Sequence, residues 1–145
     1  MASLMTGYWP LADELLDKQA MIDLVLRYFA GVDGEDIDMV LATLTPDCAF
    51  SVETHGVMLH SHAEIKGMLE RLWSHHRSVL HRNFAFVADP DAGRIAAQFQ
   101  VVNTELDGTL TYKSNCNFFD LDGALFSKVS VYMAGPNTLE RQSET

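Results

Sequence analysis

Disulfides, chain breakers, long apolar runs and positive charge are all scarce in this 145-residue chain, and each shortage removes a class of explanation. There are two cysteines, Cys48 and Cys116, each alone in apolar, strand-like surroundings, so buried thiols are expected rather than a disulfide. Only four prolines interrupt the chain, and no apolar run approaches the roughly eighteen residues of a membrane-spanning helix. Ten Lys and Arg stand against twenty Asp and Glu; the net charge of −10 would repel a phosphate backbone, so nucleic acid is not an expected partner. A glycine-rich phosphate loop and a Walker-type lysine are also missing, which leaves no case for a nucleotide. Residues Met1 to Pro10 lack the basic patch, apolar stretch and cleavage site of a secretion signal, so a cytoplasmic protein is expected.

What is present reads as one folded domain over residues 1–145, with a core from about residue 12 to residue 135 and frayed ends. Met21, Leu24, Val25, Tyr28, Phe29 and Val32 fall on one face of a helix that closes at Gly31 to Gly34. A shorter helix is expected from Ile37 to about Leu44, with Asp36 as N-cap and Thr45-Pro46-Asp47 as its stop. Cys48 to Glu53 and Val57 to Leu59 read as short strands around a turn at Gly56. Ser61-His62-Ala63-Glu64 is a capping box for a third helix. Four long strands follow, Val79 to Ala88, Arg94 to Glu105, Thr109 to Asp120 and Ala124 to Met133, separated by turn sequences that include Asp107-Gly108 and Asp122-Gly123. Helices first and then a strand meander is an α+β layout, in which a strongly curved, mostly antiparallel sheet can wrap the helices and leave a pocket between the layers.

Two residues stand out chemically. Asp33 follows the first helix and His81 opens the first long strand; a carboxylate that fixes an imidazole tautomer and raises its basicity is a proton-abstracting device that needs neither metal nor cofactor. Taken singly, each has a structural reading, Asp33 as a cap or turn residue and His81 as a satisfied strand histidine. Alternation places His81 with Asn83, Ala85 and Val87 on one face and Leu80, Phe84 and Phe86 on the other, and either face could be inward. Glu53 could serve as a second base or sit at a solvated strand end. Asn115 and Asn117 share a face and could hydrogen-bond a substrate oxygen or form an outer polar pair. Tyr28 could offer its hydroxyl to a ligand or be core, and Lys128 could polarise a carbonyl or face solvent. His60 with His62 and His75 with His76 lack a third ligand at recognisable spacing, so no metal is expected.

Arg27-Tyr28, Gly31-Val32-Asp33, Glu35-Asp36-Ile37-Asp38, Pro46-Asp47 and Leu80-His81-Arg82-Asn83 together resemble the nuclear transport factor 2-like superfamily. Within it the chain is similar to SnoaL-like proteins, the group of scytalone dehydratase and hexachlorocyclohexane dehydrochlorinase. The resemblance implies a cone-shaped α+β barrel over residues 12–135, no cofactor, a small-molecule substrate, and assembly as a homodimer or homotrimer. It places the catalytic dyad of those lyases on Asp33 and His81, and a dehydrochlorinase glutamate on Glu53. A likeness to ketosteroid isomerase puts an oxyanion-hole tyrosine at Tyr28, its general base at Glu53 and its second oxyanion donor at Asn117. The expectation is a cofactor-independent lyase or isomerase acting on a small apolar, aromatic or polyketide-like molecule. The alternatives are a non-catalytic ligand-binding or association domain, a polyketide cyclase, and an epoxide hydrolase needing an acid-arginine-acid group around Arg82 or Arg94. An apolar outer sheet face with Phe84 and Phe86 would support self-association.

Overall fold

In the computed structural model, residues 16–135 and Leu139 are described. The elements run α1 (Lys18–Asp33), α2 (Ile37–Leu41), β1 (Leu44–Val52), a 3-10 turn (Glu53–His55), β2 (Val57–His60), α3 (Ser61–Ser74), β3 (His76–Asp89), β4 (Arg94–Glu105), β5 (Leu110–Asp122) and β6 (Leu125–Tyr132). Three helices pack on one curved six-stranded sheet of order β2-β1-β6-β5-β4-β3, antiparallel throughout except where β1 runs parallel to β6. This is the α+β cone that the order of elements implies.

α1 begins where the Asp17 carboxylate accepts the Ala20 N–H at 2.7 Å, and its buried stripe is Met21, Leu24, Val25, Tyr28, Phe29 and Val32. Its end is set by Gly31. A β-carbon there would lie 2.7 Å from Val40 Cγ2 and 2.9 Å from the Val40 backbone nitrogen, so only glycine lets α2 fold back against α1. Asp36 then caps α2 by accepting the Met39 N–H at 3.1 Å. The close turn leaves Asp33 as the last residue of α1, at the edge of the helical layer. At α3 the box is shifted by one residue. Ser61 Oγ takes the Glu64 N–H at 3.5 Å, while the Glu64 carboxylate takes the His60 N–H at 2.6 Å.

Two expectations need correction. α2 ends at Leu41 rather than about Leu44, and Thr45-Pro46-Asp47 lies within β1 instead of forming a helix stop. Thr43 explains this: its hydroxyl donates to the Val40 carbonyl at 2.7 Å, and its own carbonyl accepts the Phe126 N–H at 2.8 Å, which draws the chain into the sheet. The β1–β6 register slips between Leu44 and Ala49, so Pro46, which has no N–H to give, is accommodated in an exposed irregularity.

The second correction concerns β3. Its pairing with β4 shifts between Arg82 and Ala85, and Asn83 in between has φ of 59°, the left-handed region that asparagine tolerates better than most residues. The bulge reverses the alternation. His81 faces inward before it, and Phe84 and Phe86 face inward after it, packed on the core. Asn83 and Ala85 are exposed, as is Val87, at 76%. His81 therefore does not share a face with Ala85 and Val87, and Phe84 and Phe86 do not belong to the outer surface. The exposed large apolar residues of the convex face are instead Leu80, Val87, Leu110, Tyr112 and Tyr132.

Candidate active site

The concave side of the sheet and the buried faces of α1 and α3 enclose a cavity of about 290 Å³. Most of its wall is apolar, from Phe29, Val32, Phe50, Met68, Phe99 and Val101 among others. The polar side chains in it are Tyr28, His55, His76, His81, Asn103, Lys113, Asn115 and Asn117.

Beside this cavity Asp33 and His81, forty-eight positions apart, meet, with His81 lining it and Asp33 outside the lining. His81 Nδ1 lies 2.6 Å from Asp33 Oδ1, and the His81 backbone N–H donates to Asp33 Oδ2 at 2.8 Å. One carboxylate thus holds both the backbone and the ring of the same histidine. An ionised carboxylate only accepts hydrogen bonds, so Nδ1 carries the proton and the lone pair sits on Nε2. Both side chains are largely buried, His81 at 10% exposure and Asp33 at 19%. Phe29 packs on the imidazole with ring centres 4.6 Å apart, and Phe99 meets it at 5.3 Å. Trp73 fixes the neighbouring backbone by donating from Nε1 to the Val32 carbonyl at 2.9 Å, tying α3 to the end of α1.

Across the cavity, β5 directs Lys113, Asn115 and Asn117 inward, while Tyr112 and Phe118 point out, where Phe118 meets Tyr132 and carries the Arg94 guanidinium 4.7 Å above its ring. Asn115 Oδ1 accepts the Ala134 N–H at 3.0 Å. The Asn117 and Asn103 side-chain oxygens are buried without a hydrogen-bond partner among the described residues. Tyr28 is buried on α1 with its ring edge-on to Phe119 at 5.5 Å, and burial, with the Cys48 thiol beside it, pushes its phenol well above the ordinary tyrosine range. It is a neutral O–H donor at any physiological pH.

The remaining candidates stand elsewhere. Glu53 is exposed: the chain leaves the sheet in the 3-10 turn that Glu53 begins, and its carboxylate accepts the Ser51 hydroxyl at 2.5 Å instead of lining the cavity. Lys128 is exposed in β6 between half-buried Ser127 and buried Val129, outside the cavity lining, in register with Asp120. Arg82 donates to Gln100 at 2.7 Å and Arg94 pairs with Asp120 at 3.0 Å; neither lines the cavity. Among the described residues no group of three or more His, Cys, Asp or Glu side chains is placed to hold a metal. His62 contacts the Leu44 carbonyl at 3.2 Å and His75 that of Arg71 at 2.7 Å. Cys48 and Cys116 are free thiols. Of the large aromatic residues that could size the pocket, Phe50 and Phe99 line it, whereas Trp9 lies outside the described residues.

Lys113, Asn103, His55 and His76 are cavity residues that sequence reasoning missed. For Lys113 a signal existed, since it lies two residues before Asn115 on the face that Asn115 and Asn117 share.

A family model for the SnoaL-like domain matches residues 13–128. The chain belongs to the SnoaL-like family. Solved structures similar to this SnoaL-like protein carry the nuclear transport factor 2-like fold. A candidate polyketide cyclase from Xanthomonas campestris pv. campestris superposes with a TM-score of 0.73 at 22% identity, covering 79% of this chain and 90% of the other. TerC co-crystallised with polyporic acid gives 0.71 at 18% identity, over 79% and 92% of the two chains. A nuclear transport factor 2-like protein from Anabaena variabilis gives 0.69 at 15%, over 81% and 89%. No curated protein matches the chain significantly. No helix among the described residues is long and apolar enough to cross a membrane.

Proposed function

We propose that this SnoaL-like protein is a cofactor-independent lyase or isomerase in which His81, oriented by Asp33, removes a proton from a small, largely apolar, aromatic or polyketide-like substrate. The observation that carries the reading is the two-point hold of Asp33 on His81, 2.6 Å to Nδ1 and 2.8 Å to the backbone nitrogen. It leaves Nε2 as the one basic nitrogen of a ring that lines the cavity. A general base needs its lone pair on the nitrogen that faces the substrate, and this hold supplies it.

The chemistry would run in three parts. Nε2 takes the proton from a carbon or hydroxyl of the bound molecule, and the imidazolium that forms is stabilised by the Asp33 carboxylate against it. The negative charge left on the substrate is met by neutral donors lining the cavity, the Tyr28 hydroxyl from α1 and the Asn115 carboxamide N–H from β5, each typically worth a few kcal/mol in the transition state. In an elimination the electron pair of the broken C–H bond forms the double bond as the bond to a neighbouring leaving group breaks, and His81 returns its proton to that departing group; in a double-bond migration it returns the proton to another carbon. Ring closure of a polyketide chain begins with the same abstraction. The similar Xanthomonas protein, a candidate polyketide cyclase, and the polyporic acid bound to TerC support a substrate of this kind. Free thiols at Cys48 and Cys116 fit a cytoplasmic location, and the exposed Leu80 and Tyr112 support pairing of subunits as a homodimer or homotrimer.

The test is proton exchange, which needs no knowledge of the natural product. In D2O the protein should accelerate deuterium uptake at the activated carbon of a bicyclic ketone such as 2-tetralone, followed by NMR. His81→Ala should lower the rate by about 10²–10⁴-fold, the usual worth of a positioned base. Asp33→Asn should lower it comparably for a specific reason. The asparagine oxygen is claimed by the His81 backbone N–H, which turns the amide N–H2 toward Nδ1 and forces the ring proton onto Nε2. Exchange that survives both substitutions would sink the reading.

A further inference from the structure

The charge pattern of the cavity is opposite to that of the protein. On a chain of net charge −10, the cavity lining holds no aspartate or glutamate; its titratable side chains are Tyr28, His55, His76, His81 and Lys113. The acids near it are already engaged. Asp33 is bound to His81, and Glu105 accepts the Thr111 hydroxyl at 2.6 Å and lies 3.7 Å from His76. Lys113 makes no ion pair among the described residues. It is exposed yet lines the cavity, which places it at the rim.

Its position relative to the base follows from register. His81 pairs with Val101, and Val101 pairs with Lys113, so the three form one cross-strand row on the concave face. Two strand spacings, about 10 Å, separate the histidine and lysine backbones, with the apolar Val101 between them. Also in the cavity lining, on either side of Lys113 along the strands, Asn117, 3% exposed, and Asn103, 6% exposed, each present a side-chain oxygen with no partner among the described residues. Such an atom calls for a hydrogen-bond donor. An ammonium at the rim, apolar walls, and acceptors awaiting a hydroxyl describe a particular shape of ligand.

We propose that the cavity is specific for a hydroxylated ring compound bearing an acidic group, whose carboxylate or ionised enol pairs with Lys113 while a ring hydroxyl donates to Asn117 or Asn103. This deepens the proton-abstraction reading and rests on it for the meaning of the site: Lys113 anchors one end of the molecule and so sets which carbon comes to rest at His81. Lys113 is a specificity residue, not the base.

Binding separates this proposal from the dyad. Affinities of 3-hydroxy-2-naphthoic acid and of its methyl ester are measured by calorimetry for the wild-type protein, Lys113→Met, Lys113→Arg and Lys128→Met. The acid should bind about threefold to tenfold more tightly than the ester, the range expected for a partly solvated charge pair, with the margin shrinking as salt is added. Lys113→Met should erase the margin, and Lys113→Arg and Lys128→Met, at an exposed lysine outside the cavity, should keep it. Equal affinities in the wild-type protein, a margin that survives Lys113→Met, or failure of the acid to bind at all would overturn the proposal. None of these outcomes touches the exchange test of Asp33 and His81, whose failure in turn would leave the acid preference intact.

Discussion

The two walls of the cavity treat their polar groups in opposite ways. On the wall made by α1 and β3, both oxygens of Asp33 are satisfied by His81, the imidazole is packed between Phe29 and Phe99, and Trp73 secures the adjacent carbonyl. On the wall made by β4 and β5, the Asn103 and Asn117 side-chain oxygens have no hydrogen-bond partner and Lys113 no counter-charge among the described residues. A group fully committed within the protein is held in position and cannot follow a ligand, which is what a base requires. A buried polar atom left uncommitted lowers stability until something binds it, which is what recognition requires.

The largest test of the contrast is the exchange experiment, in which Asp33→Asn and His81→Ala should each cost about 10²–10⁴-fold in rate. Next in size are paired stability changes of opposite sign. Asp33→Ala strips the acceptor from a partly buried backbone N–H and a ring N–H, so chemical denaturation should show a loss of about 1–3 kcal/mol. Asn117→Leu, which keeps the branching at Cγ and has the open cavity to take its larger methyl groups, removes an unpaired oxygen from an apolar wall and should gain about 1 kcal/mol while weakening binding of hydroxylated ligands. If both substitutions destabilise equally, the two walls are not built differently. Gly31→Ala reaches the first wall from behind. Its β-carbon meets the Val40 backbone at 2.9 Å, so α1 and α2 must part; a loss of about 1–3 kcal/mol should come with slower exchange, since Asp33 sits two residues on.

The smallest effect concerns the thiols. Burial, aided by the Asp47 carboxylate, pushes the Cys48 thiol up to about 12; burial also raises the Cys116 thiol, but that side chain is only half-buried and keeps solvent contact. Folded protein should therefore leave Cys48 unalkylated by iodoacetamide at mildly alkaline pH while Cys116 reacts slowly. The sign for stability follows from the same shift. The unfolded chain releases the Cys48 proton near its ordinary value of 9.0, and the folded chain keeps it to about 12, so stability falls as pH rises between the two. Cys48→Ala should flatten that slope.

Much of the fold was legible because its signals are local. The stripe from Met21 to Val32 names α1, and the Asp107-Gly108 and Asp122-Gly123 turns mark strand limits to within about two residues. The meeting of Asp33 and His81 could be expected from the ends of a helix and a strand. The rest depended on register, which no local pattern carries. Alternation cannot foresee a single residue in the left-handed region, so the inward faces of Phe84 and Phe86 were misread. Lys113 shares a face with Asn115, yet a lysine near a strand start reads as solvated until pairing with Val101 sets it over the cavity. Glu53 and Lys128 were lost for the same cause, one to a turn and one to the parity of β6.

The bulge at Asn83 has a consequence for comparing relatives of this protein. It divides β3 into two segments of opposite phase, one holding His81 and one holding Phe84 and Phe86. A family member that lacks this one residue would have the same sequence downstream turned inside out. Alignments carried straight through the strand would then match pocket residues with surface residues, and a gap placed at position 83 is what keeps inherited chemistry and inherited packing in step.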